Sequence, residues 1–565
     1  MIGDSAQVEK GSTLHAQVCI VGSGAAGIPM ALTLAERGMS VLLLEGGYDR
    51  EDAASQALYA GEVADARLHS PLDTYRQRRL GGSTVIWGGR CVPFDPIDFE
   101  IRDYIAHSGW PITYDDVARF YPVANQFAEA GRCDYDATTA LPADQGPMIA
   151  GLASDRISTD SLERFSCPTD FGARYRRRLE LAQNLRVVLG ANCTRIRLRA
   201  DAASVESLAV ASLQGNEFSV RAEHYVLAAG GLEIPRLLLN SRDVCAAGVG
   251  NEHDVVGRYY MCHIAGNVGV LSVAGPTRGV RHGYEISADG VYCRRRISLR
   301  PEEQRRQRVA NMVARLHFPR ITDPAHHNGV LSGLFLARNL ISYEYGKRLR
   351  DGAEQGVGLY LRHLRNLLMD APDTAGFLLH WLAKRTFAQR KFPSVILRNR
   401  TNRFSLEIHG EQVPRADSRA YLFGNTDPLG LQRLRVDWRY SSTDIESVAR
   451  SLEVMAAEVA RSGAGTLCFD RERLEEDLTR FGAYGGHHVG TTRMGLDRRS
   501  SVVDGDCRVH GVRNLFIASS AVFPTSSQAN PTLTIIALAL RLAEHIRSKS
   551  LTGQPPALTI GQGAP

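Results

Sequence analysis

The chain is organised around an apolar run, a glycine-rich turn and a second apolar run near the amino terminus. Positions 18–21 are uninterrupted apolar residues, the letters GSGAAG follow at 22–27, and positions 41–44 form the second run, which ends at Glu45. Small and apolar residues recur at helical spacing between the turn and the second run. Short apolar runs of this kind are typical of buried strands in a parallel sheet. The pattern therefore predicts a strand–turn–helix–strand unit.

Further strands are predicted in the next two hundred residues. Positions 185–189 and 193–198 have strand patterns and are expected to pair with each other, and 226–229 is a buried run that ends in two glycines. A helical pattern follows at 233–239. This second strand–glycine–helix junction predicts another edge of the same sheet.

The stretch 266–479 has a different pattern. It has fewer glycine turns, strand-like alternation at 404–408 and 434–438, and long helical patterns. A chain of 565 residues exceeds the size at which one hydrophobic core keeps growing, so two domains or one heavily inserted domain are expected. We predict that this stretch is a second, substrate-facing domain.

Within that stretch lies a basic, amphipathic segment. Residues 347–391 carry nine Lys/Arg and four Asp/Glu, which amounts to +5 of the net charge of +6. Apolar residues recur at helical spacing at 357, 360, 361, 364, 367 and 368, with Arg362 and Arg365 opposite them. Such a helix most often covers a core with a solvated basic face, and we predict that role. Membrane-surface association or an acidic partner are the alternatives.

Composition describes a globular enzyme. Hydrophobic residues make up 44% of the chain and charged residues 23%, and a net charge of +6 is too small for this length to indicate nucleic-acid binding. The first 16 residues contain no apolar signal region, and no uncharged apolar run reaches the ~18 residues of a membrane span. We expect a cytoplasmic protein without membrane association.

The cysteines and histidines do not form a metal-binding pattern. Ten scattered cysteines without a CxxC pair indicate reduced thiols. The histidine pairs at 326–327 and 487–488 have no Cys or His partner at metal-ligand spacing, so no metal centre is predicted.

The first glycine turn has the chemistry of a dinucleotide site. Gly22 permits the tight turn, Gly24 lets backbone N–H groups approach a pyrophosphate at the helix N-terminus, and Gly27 lets the helix pack on the sheet. Glu45 lies where a carboxylate binds the hydroxyls of an adenosine ribose. A purely structural glycine turn is the alternative, but the strand before, the helix after and the acid downstream favour the dinucleotide.

Further motifs lie downstream. The letters LGGSTVIWGG at 80–89 indicate backbone held against a flat surface, with a glycine-rich surface loop as the alternative. SGWPITYDD at 108–116 opens a helix with Thr113 as N-cap and Asp116 at N3. The carboxyl-terminal part contains HHVGTTRMG at 487–495, NLFIASS at 514–520 and NPTLTIIALAL at 530–540.

These motifs, in this order, resemble the glucose–methanol–choline (GMC) family of FAD-dependent oxidoreductases. The resemblance implies an α/β fold, with a Rossmann-like FAD-binding domain that is discontinuous in sequence and an α+β substrate-binding domain with an antiparallel sheet. The expected division is a flexible tail at 1–13, the FAD-binding domain at 14–265 and 480–548, the substrate-binding domain at 266–479 and a tail at 549–565.

The resemblance also implies site residues. His487 matches the catalytic histidine of the family and Asn530 its second catalytic position. The adjacent His488 leaves a one-residue ambiguity, in which the VGT spacing favours His487. The residues expected to bind non-covalent FAD are Gly22, Gly24, Ala26, Gly27, Glu45, Gly46, Gly81, Gly82, Ser83, Cys193, Ala229, Ser519, Ser520 and Asn530.

Those residue types fit alcohol oxidation. A base must accept the hydroxyl proton while a hydride leaves the same carbon, and a histidine can accept it. Asn530 can donate a hydrogen bond to the same oxygen. A structural histidine in a glycine turn and a simple helix N-cap are the alternatives for these two positions.

Three positions depart from the family pattern. Members that tether FAD carry a histidine where this chain has Ile86, so covalent attachment is not expected. Trp87 stands where some sugar oxidases have Asn, and Ser519 where many members have Asp.

The expected substrate is a small alcohol, most specifically a ring hydroxyl of a sugar or glycoside, with a dehydrogenase favoured over an oxidase. The electron acceptor is open among quinones, dye-like or protein acceptors and O2. An oxidase of a non-sugar alcohol, a non-redox lyase on the same fold and an NAD(P)-linked reductase are the alternative functions.

Overall fold

The computed structural model describes residues 1–143, 146–276, 279–318, 321–340, 356–397, 399, 401–480, 482–483 and 486–552. Its strands are β1 Ile2–Asp4, β2 Thr13–Val21, β3 Val41–Leu44, β4 Glu62–Val63, β5 Arg90–Cys91, β6 Ile157–Ser158, β7 Leu162–Phe165, β8 Leu185–Leu189, β9 Asn192–Leu198, β10 Val205–Ala211, β11 Glu217–Leu227, β12 His263–Val273, β13 Glu285–Ile286, β14 Tyr292–Arg295, β15 Ile297–Leu299, β16 Met312–His317, β17 Arg403–Glu411, β18 Arg419–Thr426, β19 Gln432–Asp437, β20 Gly465–Cys468 and β21 Leu515–Ile517.

The helices connect and cover these strands. They are α1 Gly27–Glu36, α2 Ala53–Ala57, α3 Tyr114–Ala118, α4 Tyr121–Phe127, α5 Ala137–Ala140, α6 Phe171–Leu181, α7 Glu233–Asn240, α8 Pro301–Gln307, α9 Gly329–Leu336, α10 Val357–Met369, α11 Ala371–Trp381, α12 Ser442–Arg461, α13 Leu474–Thr479 and α14 Thr532–Thr552. The N-terminus of α3 has the predicted capping box, since the Thr113 and Asp116 side chains each accept from the other residue's backbone N–H.

The largest sheet contains the predicted strand–turn–helix–strand unit. Its order is β1-β8-β3-β2-β11-β10-β9, with β21 also paired to β11. Neighbours from β1 to β11, and β21, run parallel, so β2, β3 and β11 end at the same edge, where Val21 is aligned with both Leu44 and Leu227. Ligands of open parallel sheets bind at this carboxyl edge.

The turn after β2 can hold only glycine at two positions. Gly22 has φ +105°, and a Cβ on it would lie 2.6 Å from the Ala228 carbonyl oxygen. A Cβ on Gly27 would lie 1.9 Å from the Gly22 carbonyl oxygen. Both distances are below any real Cβ contact, so the glycines let α1 start directly against the sheet.

A second, antiparallel layer faces that edge. Six strands in the order β20-β12-β17-β16-β15-β6 form it, and two smaller sheets flank it, β13-β14-β7-β5 and β18-β19-β4. The strand prediction at 404–408 falls inside β17, and that at 434–438 overlaps β19. The predicted α/β class with a second, antiparallel part is confirmed. Strands β4 to β7 precede residue 266 and still join these sheets, so the domain limits remain a prediction.

Two local predictions are wrong. Residues 1–13 are not a flexible tail, because β1 pairs in parallel with β8, with Ile2 opposite Val187. Strands β8 and β9 do not pair with each other. Both edges of β8 are occupied, by β1 and β3, so β9 pairs with β10 instead.

The amphipathic helix predicted at 357–368 forms as α10, but its predicted apolar stripe does not supply the buried side. The buried residues are Leu359, His363 and Asn366, whereas the stripe is exposed except for the partly buried Leu367, and Arg362 and Arg365 are exposed as predicted. The polar residues are buried because they are hydrogen-bonded: His363 Nδ1 lies 3.0 Å from the Ser332 hydroxyl, and Asn366 Nδ2 donates to the Pro324 carbonyl at 2.8 Å. Residues 347–355 of the basic segment, and 553–565 of the predicted tail, lie outside the described residues.

Among the helices that the structure describes, none has the length and apolar character needed to cross a bilayer.

Candidate active site

A cavity of about 1010 Å³ lies where the carboxyl edge of the parallel sheet meets the six-stranded sheet. Residues from the β2 turn line one end, and residues from β12, β14 and β17 line the other. This volume is at the upper end of the range for small-molecule sites.

The β2 turn shapes one end of the cavity as an anion cradle. Helix α1 begins at Gly27 without a side-chain hydrogen bond at its N-cap and without an acidic residue in its first turn. A Cβ on Gly24 would meet nothing closer than 4.0 Å, so a ligand can approach the backbone there. A helix N-terminus left uncapped in this way binds phosphate groups.

Glu45 follows β3 at the same end. The carboxylate accepts from the Ser23 backbone N–H at 3.1 Å, from the Ser23 hydroxyl at 2.6 Å and from the Gly47 N–H at 2.9 Å. A carboxylate offers about four acceptor positions, so these bonds orient Glu45 and leave capacity for a ribose hydroxyl.

Most of the predicted cofactor residues line this cavity. They are Gly22, Gly24, Ala26, Glu45, Gly46, Gly82, Ser83, Cys193, Ala229, Ser519, Ser520 and Asn530. Gly27 and Gly81 do not line it and act through packing instead. Gly81 has φ +94°, and a Cβ there would lie 2.6 Å from the Gly172 backbone nitrogen. Ile86 and Trp87 of the same glycine-rich loop line the cavity.

A buried ionic network at the cradle end was missed in the sequence. Glu233 lies between Arg76, Arg78 and Arg236, with nitrogen–oxygen distances of 3.2, 3.4 and 3.2 Å. Burial raises the pKa of the Glu233 carboxyl, but the three guanidinium groups outweigh it and hold the pKa at about 2. In the sequence, the only signal for this network was the position of Glu233, which opens the helix after the second glycine turn. The network fixes charged side chains in the cavity wall.

His487 and Asn530 both line the cavity and meet there. The Asn530 amide nitrogen lies 3.2 Å from His487 Nε2. The turn that carries His487 is held by two backbone hydrogen bonds between Val489 and Met261, at 2.9 and 3.0 Å. Gly490 has φ +87°, and a Cβ there would lie 2.4 Å from the Tyr259 carbonyl oxygen. This glycine therefore fixes the spacing of the turn.

His488 also reaches the cavity wall, but its ring packs away from Asn530. It stacks on His69 and Tyr260, with ring centroids 6.2 and 6.0 Å away. Burial lowers the pKa of His488 well below its ordinary value, with Arg76 and His69 contributing. Hydrogen-bonding to Asn530 thus distinguishes His487 from its neighbour.

His487 is neutral at physiological pH. Burial lowers the pKa of its imidazole to about 3, and the positive charge of Arg90 adds to the effect. Because the Asn530 amide nitrogen can only donate, the contact between the two side chains requires a lone pair on His487 Nε2. The proton of the neutral ring is then on Nδ1. A substrate hydroxyl can bond to Nε2 only by taking the place of the Asn530 amide, because this nitrogen has one lone pair.

Two further histidines that sequence reasoning missed lie beside His487. His263 on β12 and His409 on β17 have ring centroids 4.9 and 5.9 Å from the His487 ring. One ring nitrogen of each of the three lies within 4.8 Å of the others, which makes them a candidate metal-ligand set in the described part of the chain. The sequence predicted no metal centre, because the three residues are more than 70 positions apart from one another. Pairing of β12 with β17 brings His263 near His409, and the turn after residue 486 adds His487.

Backbone carbonyls set the tautomers of these two rings. Nδ1 of His263 lies 3.1 Å from the Ser527 carbonyl, and Nδ1 of His409 lies 2.5 Å from the Gln528 carbonyl. A carbonyl only accepts, so each Nδ1 carries the proton and each Nε2 has a lone pair. Burial lowers the pKa of both rings well below the ordinary value, so both are neutral. His263 Nε2 and His487 Nδ1 are buried, and neither has a hydrogen-bond partner among the described residues.

The sheet end of the cavity is polar. Asn267, Arg294, Glu407 and His409 all line it from β12, β14 and β17. Arg294 and Arg315 both approach the Glu407 carboxylate, at 3.6 Å. Buried donors and acceptors fixed in this way suit a ligand that carries several hydroxyl groups.

Comparison with known proteins gives a family match in the carboxyl-terminal part. Residues 414–539 match the family model for GMC oxidoreductases. This region contains His487, Ser519, Ser520 and Asn530.

Several curated relatives align along nearly the whole chain, and others align over a shorter region. Paromamine 6'-oxidase from Streptomyces fradiae is 23% identical over 577 residues, which cover 94% of this chain and 91% of that protein. The fructose dehydrogenase large subunit from Gluconobacter japonicus is 23% identical and covers 94% and 98%. C-glycoside 3-oxidase from Microbacterium trichothecenolyticum is 35% identical over 134 residues, 23% of this chain and 24% of that protein.

Solved structures share the fold. Pyridoxine 4-oxidase from Mesorbium loti superposes with a TM-score of 0.51 at 19% identity, over 94% of this chain and 99% of that one. A formate oxidase gives a TM-score of 0.51 at 16% identity, over 96% of this chain and 100% of that one. At these identities the likeness concerns the fold alone.

Proposed function

We propose that this chain is a GMC oxidoreductase, an FAD-dependent enzyme that oxidises a ring hydroxyl of a sugar or glycoside, with His487 as the base. The observation that carries the proposal is the His487–Asn530 pair. The pair lines the same cavity as the anion cradle and the polar sheet end, with Nε2 of His487 and the Asn530 amide 3.2 Å apart.

The cradle residues fit FAD. The uncapped N-terminus of α1 suits a pyrophosphate, and the oriented Glu45 carboxylate suits a ribose. FAD, when bound, supplies the acceptor for the hydride that leaves the carbinol carbon. Ile86 offers no nucleophile for a covalent link, so we propose non-covalent binding. Acid precipitation is expected to release all the yellow colour into the supernatant, and colour in the pellet would contradict this.

His487 performs the proton chemistry in this proposal. Its neutral ring has a lone pair on Nε2, which accepts the hydroxyl proton as the C–H bond breaks. With substrate bound, the Asn530 amide exchanges its contact with Nε2 for the same oxygen and stabilises the negative charge that develops there. The two side chains thereby hold the carbinol in one orientation.

His263 is proposed as a positioning residue. When Nε2 of His487 acts as base, Nδ1 must keep its proton, and the charged ring that forms needs an acceptor for that proton. The lone pair on His263 Nε2 is a candidate acceptor, because the two rings lie 4.9 Å apart, edge to face, and neither nitrogen has another partner among the described residues. The contact would hold His487 in the productive tautomer.

Metal coordination is the second candidate role of the three histidines. It is favoured because one ring nitrogen of each lies within 4.8 Å of the others. A metal held by His487 would compete with its role as base. Metal analysis of the purified holoenzyme separates the two roles. We expect no stoichiometric metal and full activity after chelation; stoichiometric zinc or copper whose removal abolishes activity would favour coordination.

The sugar assignment rests on the polar sheet end and on the relatives. Paromamine 6'-oxidase, fructose dehydrogenase and C-glycoside 3-oxidase are named for carbohydrate or aminoglycoside substrates. Residues 266–479, which supply most of the polar wall, are proposed as the substrate-binding domain. Several fixed hydrogen-bonding groups favour a polyol over a simple alcohol, because a buried polar group left unpaired costs binding energy.

The acceptor is proposed to be a quinone or a similar carrier rather than O2, so that the enzyme is a dehydrogenase. Steady-state turnover of a sugar and glycoside panel, first with O2 alone and then with a benzoquinone or indophenol dye, tests this. The dye is expected to be the faster acceptor, with a keto-sugar as product. Faster turnover with O2 would make the enzyme an oxidase.

The same experiment separates the redox enzyme from a lyase on the same fold. A lyase would cleave its substrate without consuming any acceptor. Substrate loss without dye reduction would therefore exclude the proposed oxidation.

A further inference from the structure

Exposed apolar side chains are concentrated on one helical segment. Among the described residues, half of the large hydrophobic side chains that are exposed lie between 357 and 387, a small part of the chain; they are Val357, Tyr360, Leu361, Leu364, Leu368, Met369, Leu378, Leu379, Leu382 and Phe387. We call residues 357–387 the apolar segment. Soluble proteins rarely expose such contiguous patches without a binding role.

The geometry of α10 makes this exposure specific. At 3.6 residues per turn, positions 357, 361, 364 and 368 form one ridge, and the buried positions Leu359, His363 and Asn366 lie on the opposite side of the helix. The ridge therefore points directly away from the protein. Its exposed fractions are 76, 60, 44 and 68%.

The buried side of α10 is already satisfied. His363 and Asn366 hydrogen-bond to Ser332 and to the Pro324 carbonyl, and Leu359 packs with Phe335 and Leu331 in a small apolar cluster. Rotating α10 to bury the ridge would break these bonds and leave polar groups unpaired. The exposed ridge is thus a stable feature of this packing.

Exposed cations lie within the apolar segment and just beyond it. Arg362, Arg365 and Lys384 are exposed within it, and Lys391 is exposed just beyond it. The acidic residues of the segment are Asp370, which accepts from the Gly329 N–H at 2.8 Å, and Asp373. An apolar ridge flanked by Lys and Arg is the pattern of a helix that lies in the interface of an anionic membrane.

The segment also forms part of the cavity rim. Trp381 and Arg385 line the cavity and are partly exposed, and they lie among the exposed residues Leu378, Leu379 and Leu382. A surface that contacts the apolar segment would therefore lie beside the cavity.

We propose that the apolar segment docks the protein on the surface of an anionic phospholipid bilayer, with the cavity rim at the lipid interface. The ridge inserts among the acyl chains and the four cations contact phosphate headgroups. The inference replaces the sequence-based role of a packed surface cover, because the stripe on which that role depended is exposed. It goes beyond the oxidation proposed above and does not depend on it.

Vesicle flotation of the FAD-loaded full chain tests the proposal. Co-flotation is expected with vesicles that contain phosphatidylglycerol, weaker binding with phosphatidylcholine alone, and loss of the difference in high salt, because salt screens the cationic contribution. Flotation with neither vesicle would overturn the proposal.

Matched variants sharpen the test. The triple variant Leu378→Ser, Leu379→Ser, Leu382→Ser is expected to weaken partitioning by at least about 10-fold, since each buried apolar side chain contributes on the order of one to three kcal/mol. The control is Leu181→Ser with Leu496→Ser, at leucines that are 68 and 86% exposed elsewhere. An equal loss of vesicle binding in the control would contradict a role specific to the apolar segment.

A third variant reports on charge. Arg362→Glu with Lys384→Glu is expected to abolish the preference for phosphatidylglycerol, and Arg177→Glu, at an exposed arginine on α6, should leave it intact.

Light scattering of the lipid-free protein completes the design. A dimer that the triple leucine variant converts to monomer would show that a second copy covers the segment and would overturn lipid docking.

Discussion

The two ends of the cavity are built by different means. At the cradle end, the backbone N–H groups of the anion cradle and the acid Glu45 come from residues 22–45, where the chain folds on itself within one strand–turn–helix–strand unit. The ionic network around Glu233 adds charged side chains from elsewhere in the chain. At the sheet end, the facing groups are side chains from β12, β14 and β17, which are separated by up to about 140 residues along the chain.

The difference teaches which kind of site a sequence can reveal. The cradle depends on glycines whose steric requirements are local, since Gly22 needs a positive φ and Gly27 needs contact with its own turn. The sheet end depends on register between strands, and a shift of one residue would turn every side chain to the other face. His487 depends on both kinds of feature, because its turn needs Gly490 and is held by hydrogen bonds between Val489 and Met261.

The largest effect is expected where the two ends meet. His487→Ala should retain FAD and lower the rate of flavin reduction by about 10²- to 10⁴-fold, the usual contribution of a positioned base. Anaerobic stopped-flow spectroscopy measures the rate, and the flavin spectrum checks that the cofactor remains bound.

His488→Ala is the matched control, because His488 occupies the next position and also reaches the cavity wall. A severe loss in His488→Ala with a nearly silent His487→Ala would reverse the assignment of the base.

The cradle end is tested by Gly27→Ala. The added Cβ would lie 1.9 Å from the Gly22 carbonyl, so α1 must move off the sheet. Overpacking of this kind costs about 1–3 kcal/mol, and we expect FAD affinity to fall by about 10- to 100-fold. Fluorescence titration with FAD measures it. Gly376→Ala is the control, because a Cβ there meets nothing within 4 Å; equal affinity in both variants would contradict the role of Gly27.

The features that could be predicted from the sequence are those of the cradle end, and most of those that were missed belong to the sheet end. The parallel unit, the glycine turn and Glu45 were recognisable because their physics is local. The His487–Asn530 pair came only from family resemblance, since 43 residues separate the two. His263 and His409 had no local signal, because each is a single histidine on a strand. The helix α10 was predicted, but its buried side was not, because buried polar residues that find partners cannot be distinguished from exposed ones by hydrophobicity alone.

The sheet end is tested by His263. His263→Leu removes the acceptor proposed for His487 Nδ1 and should slow flavin reduction by roughly 5- to 10-fold, the equivalent of about one hydrogen bond. His263→Gln should recover most of the rate, because its amide oxygen also accepts. A purely structural role would lower the melting temperature of both variants without this rescue. His282→Leu, at a half-buried histidine that bonds the Leu397 carbonyl, is the control.

The smallest effect concerns pH. The base form of His487 is the neutral ring, which persists at every pH above its pKa, and burial lowers that pKa to about 3. Lowering the pH from 8 to 5 therefore leaves His487 unprotonated, and the rate of flavin reduction should change less than about 2-fold. Stopped-flow rates across this range check it. A tenfold decline with a midpoint near 6.5 would mean that the base has an unperturbed imidazole pKa.

The most direct test of the central claim is anaerobic flavin reduction by matched substrates, in the absence of any other acceptor. Sugars and glycosides, their analogues deuterated at the ring carbinol carbon, and simple aliphatic and benzylic alcohols would be mixed with the holoenzyme while flavin absorbance is followed. The account predicts rapid bleaching by at least one sugar or glycoside and slower bleaching by its deuterated analogue. Bleaching by simple alcohols alone, or the same rate with the deuterated sugar, would contradict it.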